Sequence, residues 1–130
     1  MMKKLTILLR VVGVLQIILG LLFLFAPAFV LTAMGHSLPE PDIFYPLAML
    51  SARFISYGVA LMYISSHPIE HKLWIYFMIL IQVIDLSAGI FYTATGVVSL
   101  ELSGVAMFNA SWIIILLYLF TKSEIQKSEH

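Results

Sequence analysis

Four apolar runs of membrane-spanning length follow one another along the chain, at about 5–31, 46–64, 73–95 and 102–120, and none holds more than one charged residue. A helix needs about 20 apolar residues to cross the ~30 Å hydrocarbon core of a bilayer. Composition bears this out: 62% of the 130 residues are hydrophobic and 11% charged, with a mean hydropathy of +1.03. A soluble domain is about half apolar and roughly one quarter charged. A water-soluble fold of this length has too little interior to hide so much apolar surface. The connections "TAMGHSLPEPDIFY", "SSHPIEHK" and "ATGVVSLELS" are short, and short loops make consecutive helices antiparallel neighbours. The expected fold is all-α: a polytopic membrane protein, an antiparallel up-down four-helix transmembrane bundle, with 1–130 as a single transmembrane domain.

Lys and Arg in short loops set orientation. Lys3 and Lys4 precede the first span, Lys72 lies in the second loop, and Lys122 and Lys127 lie in the tail. The first and third loops lack Lys and Arg and carry Glu40, Asp42 and Glu101. The expected orientation has both termini and the second loop on the cytoplasmic side of a plasma (inner) membrane. Trp74 and Tyr76 at one interface and Phe44 and Tyr45 at the other fit the aromatic belts of a spanning protein. A competing reading takes "MMKKLTILL" as a signal peptide ending at the A-x-A-like Ala26-Pro27-Ala28. The apolar run is long for a signal and holds Arg10 and Gln16, so a retained span is expected.

The string "HPIEH" at 67–71 matches the H-x-x-E-H pattern of zinc hydrolases. That chemistry needs both histidines on one helix face, a third ligand and an open metal position. Pro68 belongs at a first helical position rather than inside a helix. The third ligand would have to come from Glu124, Glu129 or His130, in a polar tail that reads as frayed. The plainer reading is a turn: His67 caps the third span, Pro68 opens it, and Glu70 sits where the helix dipole favours an anion. No metal, no cofactor and no catalytic residue are expected. The absence of cysteine removes disulfides and thiolate chemistry, and a net charge of zero gives nucleic acid no basic stripe.

Ionisable groups inside a bilayer are costly and therefore mark function by default. Arg53 lies seven residues past Pro46, about 10 Å below the outer surface at ~1.5 Å per residue. Asp85 lies twelve residues past Leu73, which leaves it about 12 Å below that surface in a ~30 Å core. Asn109, seven residues past Leu102, falls about 10 Å from the outside as well. These three define a polar layer. Tyr57 sits one turn from Arg53; Gln82, Asp85, Gly89 and Tyr92 form a stripe at spacings of three and four; Gln16 is near mid-membrane, within reach of Gln82. Arg10 is expected to snorkel to the headgroups. The candidate ligand-binding set is Arg53, Asp85, Asn109, Tyr57, Gln82, Gln16 and Tyr92. A structural reading of the same residues is an Arg53–Asp85 ion pair that sets helix register, and a pocket can be built around such a pair. Ala52, Ser56 and Ala60, and Ala106 and Ala110, form small-residue faces for close packing within the bundle or in a homodimer.

An arginine early in the first span, then "GVLQIILGLLFLFAP", then "ARFISYGVALMYIS", and a lone aspartate in the third span resemble the small DoxX-like four-helix membrane proteins. The resemblance implies a four-helix bundle in a bacterial inner membrane. Members of that group are mostly of undefined activity, and some serve quinone-coupled or oxidative-stress systems as accessory subunits. Arg10, Arg53 and Asp85 are the shared positions it implies. Small multidrug exporters have similar length but rely on a carboxylate in the first span, which this chain lacks. The expected function is that of an accessory or scaffold component whose polar layer holds a small ligand or lipid, with the bilayer, a membrane complex or a second copy as partner. The alternative is a proton- or cation-coupled carrier in which Asp85 takes up the ion.

Overall fold

The computed structural model describes residues 3–128. It is helical, with no strand among the described residues. Four helices are long and apolar enough to cross a membrane: α1 (Lys3–Phe25), α3 (Phe44–Ile64), α4 (Lys72–Ala94) and α5 (Leu100–Ser128). A short α2 (Pro27–Ala33) follows α1.

The expected first span of 5–31 is broken at Ala26. Pro27 lacks an amide hydrogen and forces its predecessor out of the helical region; Ala26 adopts φ −139°, ψ 53°. The chain turns and α2 starts with that proline in its first turn. At the end of α2, Gly35 takes φ +91°. Its amide donates to the Thr32 carbonyl (3.0 Å) and the His36 amide donates to the Leu31 carbonyl (2.9 Å). This Schellman closure needs a residue free to adopt a left-handed backbone.

The expected start of the second span at Pro46 moves back to Phe44, because proline is tolerated in a first turn. The tail expected to fray instead continues α5 to Ser128. Thr121 and Glu124 are buried along it, and Lys127 lies 3.6 Å from Glu124.

α1 packs most extensively on α3, and α4 on α5; α1 and α5 join the two pairs, while α3 and α4 barely touch. The α1–α3 seam is set by glycine. A methyl group on Gly13 would come 2.9 Å from the Gly58 carbonyl oxygen, and one on Gly20 would come 2.9 Å from that of Ser51. Backbones that close leave no room for a side chain. The close-packing face of α3 is therefore Ser51–Ile55–Gly58. Ala52 and Ser56, expected to serve, are exposed. At one end of the seam Thr6 donates to the Ser65 carbonyl (2.7 Å), and Arg10 Nε donates to Ser65 Oγ (3.1 Å).

The packed core lies at this end. It gathers Leu5, Leu8, Leu9 and Val12 from α1, Leu61 and Ile64 from α3, Ile75 and Met78 from α4, and Ile113 and Leu117 from α5. Elsewhere the long apolar side chains face outward: Phe25, Tyr63 and Val105 are each 78% exposed. An exterior of that kind is suited to lipid and is a liability in water.

Candidate functional site

Beyond the core the helices spread, and the polar residues line a larger and a smaller cavity. The larger, about 680 Å³, lies between the second half of α1, the middle of α4 and the first half of α5, with α2 along one side. Its polar lining comes from Gln16, Gln82, Asp85, Ser103 and Asn109; the rest is apolar, including Phe29, Val30 and Ala33 of α2 and Met34 just after it. The smaller, about 460 Å³, lies in the α3–α4 cleft, lined by Leu50, Arg53, Phe54 and Tyr57 on one side and Met78, Ile81, Ile84 and Asp85 on the other. Gln16 and Asp85 line both.

Each polar group reaches this region for a local reason. Gln16 lies between Gly13 and Gly20 on α1, whose lack of side chains draws α3 in and buries the intervening turn. Gln16 is 3% exposed, yet its amide has no hydrogen-bond partner among the described residues. Gln82 is equally buried at 3%; its Nε2 donates to Met78 Sδ at 3.3 Å, and thioether sulfur is a weak acceptor. Asn109 accepts from the Trp112 indole nitrogen at 3.1 Å, which leaves its NH₂ group uncommitted. Ser103 is tied to Thr93 by a 2.6 Å hydroxyl–hydroxyl contact that joins α5 to α4. Gly89 continues the α4 stripe, and a methyl group there would meet Met107 at 2.7 Å.

Of the seven residues expected at the site, Gln16, Gln82, Asp85 and Asn109 share the larger cavity, and Gln16, Arg53, Tyr57 and Asp85 share the smaller. Tyr92 lines neither. It is exposed and packs edge-on against Phe91, ring centres 5.2 Å apart. The amides of Gln16 and Gln82, expected within reach of each other, form no hydrogen bond with each other.

The Arg53–Asp85 ion pair is not formed. Arg53 Nη1 instead donates to the Met49 carbonyl at 2.9 Å. Asp85 has no hydrogen-bond or ion-pair partner among the described residues. The cause is the divergence of α3 from α4. Glycine draws α3 to α1, whereas the α3–α4 approach is held open by bulky rings, Tyr57 and Trp74, with centres 6.5 Å apart. Sequence reasoning missed Ser103 and the α2 wall. The Ala26-Pro27 break was the available signal for the wall; Ser103 carried none.

HPIEH forms the link into α4. Pro68 precedes a single 3-10 turn, Ile69–His71, and α4 proper begins at Lys72, so Pro68 opens the turn rather than the helix. No side-chain cap from His67 is formed; it is exposed, while His71 packs edge-on to Tyr63. Among the described residues no group of three His, Asp or Glu side chains is placed to hold a metal ion; Glu129 and His130 lie outside them. Comparison with protein-family models, with curated proteins and with solved structures finds no match.

Proposed function

We propose that the chain is a small integral membrane protein that binds an amphiphile in the larger cavity, apolar body against α2 and α5, polar end at Gln16, Gln82, Asp85 and Asn109. Gln16 carries this reading: its side chain is 3% exposed and lines the cavity, and an amide that has left bulk water without a hydrogen-bond partner costs free energy unless something in the cavity meets it. The volume and the mixture of apolar wall and few polar groups suit a small-molecule site.

The topology in this reading is an antiparallel up-down bundle in a bacterial inner membrane, as in the DoxX-like proteins, with an accessory or scaffold role. The Thr6–Ser65 and Gly20–Ser51 pairings support the antiparallel arrangement of the first two spans. The Lys-bearing segments at 3–4, 72 and 122–127 support a cytoplasmic core end and a cavity end on the outer side.

The test is native mass spectrometry of the protein released gently from its own membranes. One small molecule per chain, lost in Gln82→Leu and Asn109→Leu, is the expected result. A bare wild-type chain, or a ligand kept by both variants, would refute it.

A second reading rests on Asp85, which lines both cavities without an ion-pair partner: a carrier in which this carboxylate takes up a proton or cation. It requires Asp85→Asn to abolish ion-coupled uptake in liposomes. Wild-type vesicles that show no substrate-driven pH change would dismiss it.

A further inference from the structure

We propose that the smaller cavity is a lipid-headgroup site for a zwitterion bearing a primary ammonium, with the phosphate at Arg53 and the ammonium at Asp85, entered sideways through the α3–α4 cleft.

Two opposite charges on different helices face one volume of about 460 Å³, and neither neutralises the other. Both belong to apolar helices of spanning length, where an uncompensated charge is expensive. The guanidinium commits a single nitrogen, Nη1, to the Met49 carbonyl. The rest of its fork has no partner among the described residues, and that planar set of donors matches phosphate bidentately. Met49 lies one turn back toward the start of α3, so this bond draws the guanidinium toward the outer headgroup level.

An ionised Asp85 supplies acceptors and no donor, and an ammonium supplies donors. A quaternary amine has no N–H for it. An anionic lipid without an amine would satisfy Arg53 and leave Asp85 repelled. The walls between the two charges are apolar (Leu50, Ile81 and Ile84) and lie along a cleft that α3 and α4 leave open. Acyl chains can follow those walls into the bilayer while the headgroup is held at the charges. The two sites share Gln16 and Asp85; Arg53 lines only the smaller, so changes at Arg53 tell this proposal from the amphiphile reading of the larger cavity.

The experiment is native mass spectrometry of the delipidated protein in detergent, titrated with phosphatidylethanolamine, phosphatidylglycerol or soluble phosphoethanolamine. The expected result is one phosphatidylethanolamine per chain, held roughly tenfold more tightly than phosphatidylglycerol. Arg53→Gln should lose that binding, Arg53→Lys should weaken it several-fold, and Asp85→Asn should erase the preference between the two lipids. Retention of the larger-cavity ligand by Arg53→Gln shows that the variant is folded and keeps the two sites distinct. If that ligand is absent in wild type, the helical circular dichroism of Arg53→Gln serves the same purpose. Equal or tighter binding of phosphatidylglycerol by wild type, or unchanged binding in Arg53→Gln, would overturn the site. Soluble phosphoethanolamine binding as tightly as the lipid would overturn its membrane origin.

Discussion

Replacing Gly58 by alanine adds one methyl group where α1 and α3 come closest. That carbon would lie 2.6 Å from the Gly13 carbonyl oxygen, 3.0 Å from the Ile17 amide nitrogen and 2.5 Å from Ile17 Cγ1. The Ile17 side chain can rotate aside, but the backbone atoms cannot. A relaxed carbon–oxygen contact is about 3.3 Å, so the helices must part by roughly 0.7 Å over that turn. Overpacking of this kind costs about 1–3 kcal/mol, and alanine returns about 1 kcal/mol through its better helix propensity. The expected net loss is about 1 kcal/mol. Gly104 in α5 is the internal control, because a methyl group there meets nothing within 4 Å. Gly104→Ala should keep the propensity gain, about 1 kcal/mol of added stability. Reversible unfolding in mixed detergent–dodecyl sulfate micelles, followed by circular dichroism, reads both, and the two variants should differ by about 2 kcal/mol. Gly58→Ala as stable as Gly104→Ala would refute the glycine seam, and with it the account of why Gln16 is buried.

Three other outcomes follow from the same geometry. With no direct ion pair, the effects of Arg53→Gln and Asp85→Asn on unfolding in lipid-free detergent should add to within about 0.5 kcal/mol; coupling well above that would restore the pair. Ser65→Ala removes the acceptor of Arg10 Nε and a hydroxyl donated to the Met62 carbonyl at 2.7 Å; it should cost about 1 kcal/mol, and no change would show the α1–α3 clamp to be idle. Purified protein should carry zinc well below one per chain by elemental analysis, and stoichiometric zinc lost on His67→Ala would revive the H-x-x-E-H reading.

Much of the candidate site was legible residue by residue. Polar groups are few within apolar helices of spanning length, so Gln16, Arg53, Gln82, Asp85 and Asn109 identify themselves, and counting along the helices puts Arg53, Asp85 and Asn109 at one level and Gln16 and Gln82 nearer the middle. What they do with one another was not legible. The Arg53–Asp85 pair looked natural from matching depth, yet depth says nothing about the lateral distance between two helices. That distance is set by which helix finds a glycine opposite it. Tyr92 shows the same limit: spacings of three and four kept it on the stripe with Gln82, Asp85 and Gly89, but beside the end of α4 it lies outside both cavities.

Sequence alone determined the four helices long and apolar enough to span a membrane, because each apolar run is of that length and the breaks between them carry Gly, Pro and polar residues. Gly35 fixed the turn that follows α2, since only a residue without a side chain enters the left-handed region cheaply. Tertiary structure decided the rest. α1 seats against α3 because backbone-to-backbone packing at Gly13, Gly20 and Gly58 outcompetes contact across Tyr57 and Trp74, while α4 seats against α5 with Gly89 facing Met107 and Thr93 bound to Ser103. That unequal pairing closes the core at one end, spreads the helices at the other, and leaves Arg53 and Asp85 facing one cavity with no partner in each other.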